Sequence, residues 1–197
     1  MGWLYMSSLG GHATPKAYLE AQFTFENERG HSEILASAVV KMRTWYAACR
    51  QVNHKTGKTG IFALVCLVRY NKRDREGLIF GYKDMSETMG PSESECPAKI
   101  LDLLDPTTNE YALAWRTRCR AAIARRNRPA PKAGDTIIFG SDIRFTDGSE
   151  SRRFLVQSER SRVTFINPQT GGRYRISRWK DRDWTMVPKI DLGRAPA

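Results

Sequence analysis

Two groups of residues have the types and spacing for chemistry. The first is basic: Arg116, Arg118, Arg120, Arg125, Arg126, Arg128 and Lys132 succeed one another with no acid between them. A helix of that composition concentrates positive potential and suits a phosphate backbone. The second mixes reactive types, Tyr82, Lys83, Asp84, Glu87 and Cys96. Asp84 and Glu87, three apart before a Gly90-Pro91 break, suit an acid/base pair or two metal ligands. The same spacing equally suits a helical turn that Asp84 or Ser86 caps and Glu87 supports. Tyr82, Lys83, Asp84 and Glu87 are therefore the catalytic candidates.

A further basic group follows near the end. Arg173, Arg175 and Ser177 share one face of an expected strand, and Arg178, Trp179 and Lys180 come next. Cations interleaved with aromatics suit backbone contact combined with base stacking; arginine on an edge strand also serves solubility alone. The basic helix has its own counterweight. Residues 84–110 hold Asp84, Glu87, Glu93, Glu95, Asp102, Asp105 and Glu110 against the single Lys99, an acidic stretch able to neutralise it.

Other chemistries find little support. Gly57-Lys58-Thr59 resembles the end of a phosphate-binding loop, but Val52 stands where its first glycine belongs, and a strand follows instead of a helix. His12, His31 and His54 fall in expected loops or turns, with no nucleophile elbow or metalloenzyme helix beside them. Cys49, Cys66, Cys96 and Cys119 lack the paired spacing of a zinc knuckle and read as reduced thiols. No metal and no cofactor are expected.

The elements that must position these groups follow from pattern. Of 197 residues, 41% are hydrophobic, enough to fold, while 32 lysines and arginines against 21 acids leave a formal charge of +11. That balance favours phosphate-rich partners. The longest apolar stretch, 61–68, is strand-sized and far short of the roughly 18 residues of a membrane span. Met1-Gly2-Trp3-Leu4-Tyr5-Met6 lacks the charged start and long apolar run of a secretory signal, so a cytoplasmic protein without a membrane partner is expected.

A first strand is expected at 3–6, and Thr14-Pro15 marks a helix start. Residues 37–84 read as an antiparallel three-stranded meander whose middle strand, 61–68, is covered on both faces. With a turn centred on Gly57-Lys58, Cys49 and Cys66 stand opposite each other. A charged turn at 71–77 and a third strand at 78–82 complete it. A loop or broken helix at 84–97 and a short helix at 98–104 precede a longer helix to about 126, with Tyr111, Trp115, Cys119, Ala122 and Ile123 as its apolar stripe. Pro129 and Pro131 mark a linker at 127–133. Short strands at 136–139, 153–157, 163–166, 173–176 and 184–187 then predict a small SH3-like β-barrel over 134–197. The fold class is α+β: an antiparallel meander covered by helices over 1–126, then the barrel.

Gly81-Tyr82-Lys83-Asp84-Met85-Ser86-Glu87-Thr88-Met89-Gly90-Pro91, with Cys96-Pro97, residues 101–104 and the opening Met1-Gly2-Trp3-Leu4, resembles the signature of an uncharacterised domain family of bacterial mobile elements and phages. The resemblance covers roughly residues 1–126 and most of the remainder only loosely. It carries no known mechanism and implies only context, an accessory protein that binds DNA, modifies it or blunts host defence. The reading that results is a non-enzymatic nucleic-acid-binding accessory protein, with Arg116, Arg118, Arg120, Arg125, Arg126 and Arg128 on phosphate and Arg173 and Arg175 as a second footprint. Its alternatives are an inhibitor that binds a defence protein, or an enzyme acting on nucleic acid or nucleotide through residues 82–96.

Overall fold

The computed structural model describes residues 2–70, 80–159 and 162–187, and the chain divides into two compact units, 1–124 and 125–197. In the first, a six-stranded antiparallel sheet has the order β1-β6-β5-β4-β3-β2. The strands are β1 (Leu4–Met6), β2 (Phe25–Asn27), β3 (Gly30–Val40), β4 (Thr44–Asn53), β5 (Thr59–Tyr70) and β6 (Phe80–Ser86). The expected three-stranded meander is thus β4 to β6 of a sheet twice as wide. The strand β3 escapes an alternation search because a bulge between Ile34 and Ala36 shifts its phase. Ile34 packs on one face of the sheet, and Leu35 and Ala36 both pack on the other.

Both faces of the sheet are covered. On one lies α1 (Pro15–Gln22), where Leu19 packs with Trp45, Cys49, Cys66, Phe80 and Tyr82. Thr14 caps α1 by accepting a hydrogen bond from Ala17 N at 3.1 Å. Glu20 fixes the helix to β3, accepting from Ser37 Oγ at 2.6 Å and Lys16 Nζ at 2.8 Å. Burial raises its carboxyl pKa, but these hydrogen bonds outweigh that and hold it low. On the opposite face lie α2 (Ala98–Leu101) and α3 (Glu110–Arg126), whose Ile100, Leu101, Trp115 and Cys119 pack with Tyr46, Ala48, Ala63 and Val65. Burying a side chain as large as Trp115 contributes about 3 kcal/mol, and its indole Nε1 donates to Glu93 O at 2.7 Å. The buried stripe of α3 is Ala112, Trp115 and Cys119, with Ile123 partly covered. Tyr111 instead stands 67% exposed in the first turn, with its ring beside Gly90.

The β4–β5 register pairs Cys66 with Trp45 and Cys49 with Phe62, so the two cysteines are not opposite. The turn is centred nearer Lys55-Thr56, held by Gly57 N to Asn53 O at 2.8 Å and Thr56 N to Asn53 Oδ1 at 3.0 Å. The displacement is an even number of residues, so both thiols still face the α1 side. The expected charged turn at 71–77 lies outside the described residues.

The second unit is a five-stranded antiparallel sheet of order β10-β9-β8-β7-β11. Its strands are β7 (Thr136–Arg144), β8 (Glu150–Glu159), β9 (Arg162–Ile166), β10 (Arg173–Tyr174) and β11 (Trp184–Val187). The pairing of β7 with β8 jumps from Ile138 with Arg153 to Ile143 with Ser151, and the extra residues curl the sheet. Ile137, Phe139, Phe154, Phe165, Ile176 and Trp184 fill its concave side. The result is a curled half-barrel, open where a closed barrel was expected. Only two residues of β10 pair before Ile176 turns into the core, and β10 and β11 do not pair among the described residues. The end of the expected linker is tied to the start of this unit by Lys132 N to Asp135 Oδ2 at 2.6 Å, and Val156 N to Asp135 O at 2.7 Å fixes that turn to β8.

Candidate nucleic-acid interface

The sheet divides the cluster expected to be catalytic. The strand β6 runs through Ser86, so Tyr82, Lys83 and Asp84 lie on a strand and alternate between its faces. Tyr82 is buried on the α1 side, and burial, helped by the charge of Asp84, pushes its phenol up to about 12. Asp84 pairs with Cys66 across that same face, whereas Lys83 pairs with Leu67 on the other. Glu87 begins a 3-10 turn and is 1% exposed. Its carboxylate accepts a forked pair from Arg116, Nε to Oε2 and Nη2 to Oε1, each at 2.6 Å, and a weaker bond from Ala63 N at 3.3 Å. Asp84 and Glu87 do not converge, and the carboxylate of Glu87 is already satisfied. Ser86 precedes the turn without a side-chain capping bond.

The arginines separate just as clearly. Arg116 also donates to Asp105 O at 2.7 Å, and its side chain is only 16% exposed. Arg118 donates to Pro91 O at 2.7 Å, and Arg120 meets Asp102 at 3.3 Å in the open. The acidic stretch thus occupies Arg116 and Arg120. Arg125 and Arg126 are exposed without an ion pair among the described residues. Arg128 belongs to the second unit. It donates to Trp184 O at 2.8 Å, lies 5.0 Å from that ring's centre and faces Asp183 at 3.5 Å. Arg173 is on β10 and Arg175 just after it, and both are exposed. Lys180 lies 5.6 Å from the Trp179 ring.

The structure assembles a cationic and aromatic surface that the sequence does not show as a motif. A groove of about 670 Å³ at the β3–β4 turn and the end of β5 is lined by Trp3, Lys41, Arg43, Leu67, Arg69 and Tyr70, among others, and no carboxylate lines it. The Arg69 guanidinium lies 4.0 Å over the Trp3 ring. Trp3 stacks on Tyr5 with centroids 6.3 Å apart and planes at 26°. Tyr5 in turn lies flat across Gly81, where a Cβ would fall 2.7 Å from its ring, so the glycine is what admits the aromatic. Tyr5 and Tyr70 remain 52% and 38% exposed. Lys41 is bridged to Glu95 at 2.5 Å, and Arg43 has no ion-pair partner among the described residues.

Comparison with known families adds a name without a mechanism. Residues 106–179 match a family described as "Domain of unknown function (DUF6927)". That stretch takes in α3 and the second unit as far as Trp179, C-terminal to the Gly81–Pro91 signature. It supports similarity to an uncharacterised domain. No curated protein and no solved structure matches.

His31 lies on β3 and not in a loop. It shares the Glu26 carboxylate with His54, Nδ1 at 2.5 Å and Nε2 at 3.3 Å. Strand pairing explains the meeting, since Glu26 stands directly opposite His31 across β2 and β3. Among the described residues no three histidine, cysteine or acidic side chains converge as a metal site, and no helix is long and apolar enough to cross a membrane. The signal that could have exposed the groove is Trp3 and Tyr5 alternating on a strand, with Arg69-Tyr70 ending another.

Proposed function

We propose that this protein is a non-enzymatic nucleic-acid-binding accessory protein of a mobile element or phage, and that its principal contact is the Trp3–Arg69 groove. The supporting observation is a combination in one place: partly exposed aromatic rings, Arg43 and Arg69 beside them, and no lining carboxylate. Single strands are the form such a surface suits, because unpaired bases offer their faces to aromatics at about 1–3 kcal/mol per stacked base while cations track the backbone. Arg125, Arg126, Arg173 and Arg175 are exposed cations suited to secondary phosphate contacts. Arg116 and Arg128 leave that role, since protein acceptors already hold their guanidinium groups.

The test is a fluorescence anisotropy titration of labelled single-stranded DNA and RNA. Binding should weaken steeply from low to physiological salt. Arg69→Ala should flatten the logarithmic salt dependence by about 0.7, and Trp3→Ala should cost roughly tenfold in affinity. Absence of binding to either nucleic acid at low salt, or wild-type affinity in both variants, would end the proposal.

A protein partner is the second reading. Across the outer face of the second sheet, Val187, Thr136, Leu155, Ile166 and Arg173 form one continuous row through strand pairing, with Leu155 38% and Val187 46% exposed. We further infer a partly open SH3-like module, because β11 returns after a 3-10 turn to pair beside β7. A stable complex that survives nuclease treatment would favour this reading.

A further inference from the structure

We propose that the cleft at the β2–β5 end of the first sheet is a second binding site, which takes a nucleobase with an adjoining phosphate. It lies at the Thr59 end of β5, whereas the groove lies at the Tyr70 end, about 35 Å away along the strand. It does not depend on the groove's function.

The cleft has a volume of about 530 Å³, within the range of small-molecule sites. Its shape follows from the strand register. Phe25, Ser32, Gln51 and Gly60 stand in one row across β2, β3, β4 and β5, with Gly30 and Asn53 paired two rows on, on the same face. The floor carries two glycines, Gly30 and Gly60, beside the side chains of Gln51 and Asn53, while Ser32 is buried beneath it with its hydroxyl turned to Phe23 O at 2.8 Å. Gly30 has to be small, because a Cβ there would fall 2.3 Å from Val52 O. Phe25, 41% exposed, and Phe62 flank this low floor, and α1 ends at Gln22 without closing over it. Phe25 and Phe62 stand on β2 and β5, three strand spacings or about 14 Å apart, so each offers one ring face to a planar heterocycle lying in the cleft, and the exposed Gln51 amide offers both a donor and an acceptor to its edge.

The charge at the rim points to the second half of the ligand. Arg29 and Lys58 line the cleft, and neither has an ion-pair partner among the described residues. They arise from adjoining turns that are tied together. Arg29 O accepts from His54 N at 3.1 Å, and Lys58 O accepts from Asn53 N at 2.9 Å. Two cations on preset stems balance the double charge of a phosphomonoester. No carboxylate lines the cleft. Glu26 alternates to the opposite face from Phe25 and is engaged by His31 and His54.

Isothermal titration calorimetry with AMP, adenosine, inorganic phosphate and a 5′-phosphorylated tetranucleotide tests the site. AMP or the tetranucleotide should bind saturably with a Kd of about 1 mM or tighter, and adenosine and phosphate at least tenfold more weakly. Tighter binding of AMP identifies a free nucleotide as the source, and tighter binding of the tetranucleotide a strand end. Gly60→Val fills the floor, and the nearest atom to an added Cβ is Asp105 Oδ2 at 4.0 Å, an ordinary contact, so it should abolish AMP binding and keep the circular dichroism spectrum. Phe25→Ala and Arg29→Ala, both at exposed positions, should each weaken binding at least tenfold, whereas Arg69→Ala should leave AMP binding unchanged. In a Trp3→Ala/Arg69→Ala background, failure of both phosphorylated probes to saturate, or unaltered binding on adding the Phe25 or Arg29 substitution, would overturn the proposal without touching the groove.

Discussion

Replacing Arg116 by alanine strips Glu87 of both guanidinium hydrogen bonds and leaves a carboxylate that is 1% exposed with one weak partner, Ala63 N at 3.3 Å. Breaking a buried, forked ion pair from one side costs about 3–5 kcal/mol, because the surviving charge is neither hydrated nor paired. The loss of the bond to Asp105 O adds to this. For a unit of this size each kcal/mol moves the melting temperature by about 3–5 °C. Arg116→Ala should therefore melt roughly 10–25 °C below wild type by circular dichroism. The double variant Glu87→Leu/Arg116→Met removes both charges together and should lose less than Arg116→Ala alone. At a temperature where Arg116→Ala is still folded, its affinity for single-stranded DNA should match wild type. A variant that melts within a few degrees of wild type yet loses DNA affinity would refute the reasoning and return Arg116 to the phosphate backbone.

Two further outcomes test the core and the register. All four cysteines are buried, and burial pushes the thiols of Cys49, Cys66 and Cys96 up, away from the reactive thiolate. Ellman's reagent at pH 8 should find none of them in the native protein and all four in guanidinium; prompt reaction in the native state would contradict this packing. Gly30→Ala places a methyl group 2.3 Å from Val52 O and should lower stability by about 1–3 kcal/mol through displaced β3–β4 pairing, so an unchanged melting temperature would rule out the β3–β4 register.

Wherever a local rule suffices, the sequence by itself determined the structure. Thr14 before Pro15 announced α1, the all-apolar run at 61–68 announced a strand covered on both faces, and five short β segments announced the second sheet almost strand for strand. These signals survive because capping, alternation and two-sided burial act over a few neighbouring residues. What the tertiary structure decided is which residues meet. The bulge in β3 concealed that strand, and a turn two residues off its expected centre re-paired every residue of β4. The arginines of α3 are identical in type, and only the fold separates Arg116, locked on a buried glutamate 29 positions away, from Arg125 and Arg126 in solvent. The groove joins Trp3 to Arg69, and the cleft joins Phe25 to Gly60 across four strands. Such sites depend on strand order and register, which are set by the summed packing of both sheet faces and not by any one segment.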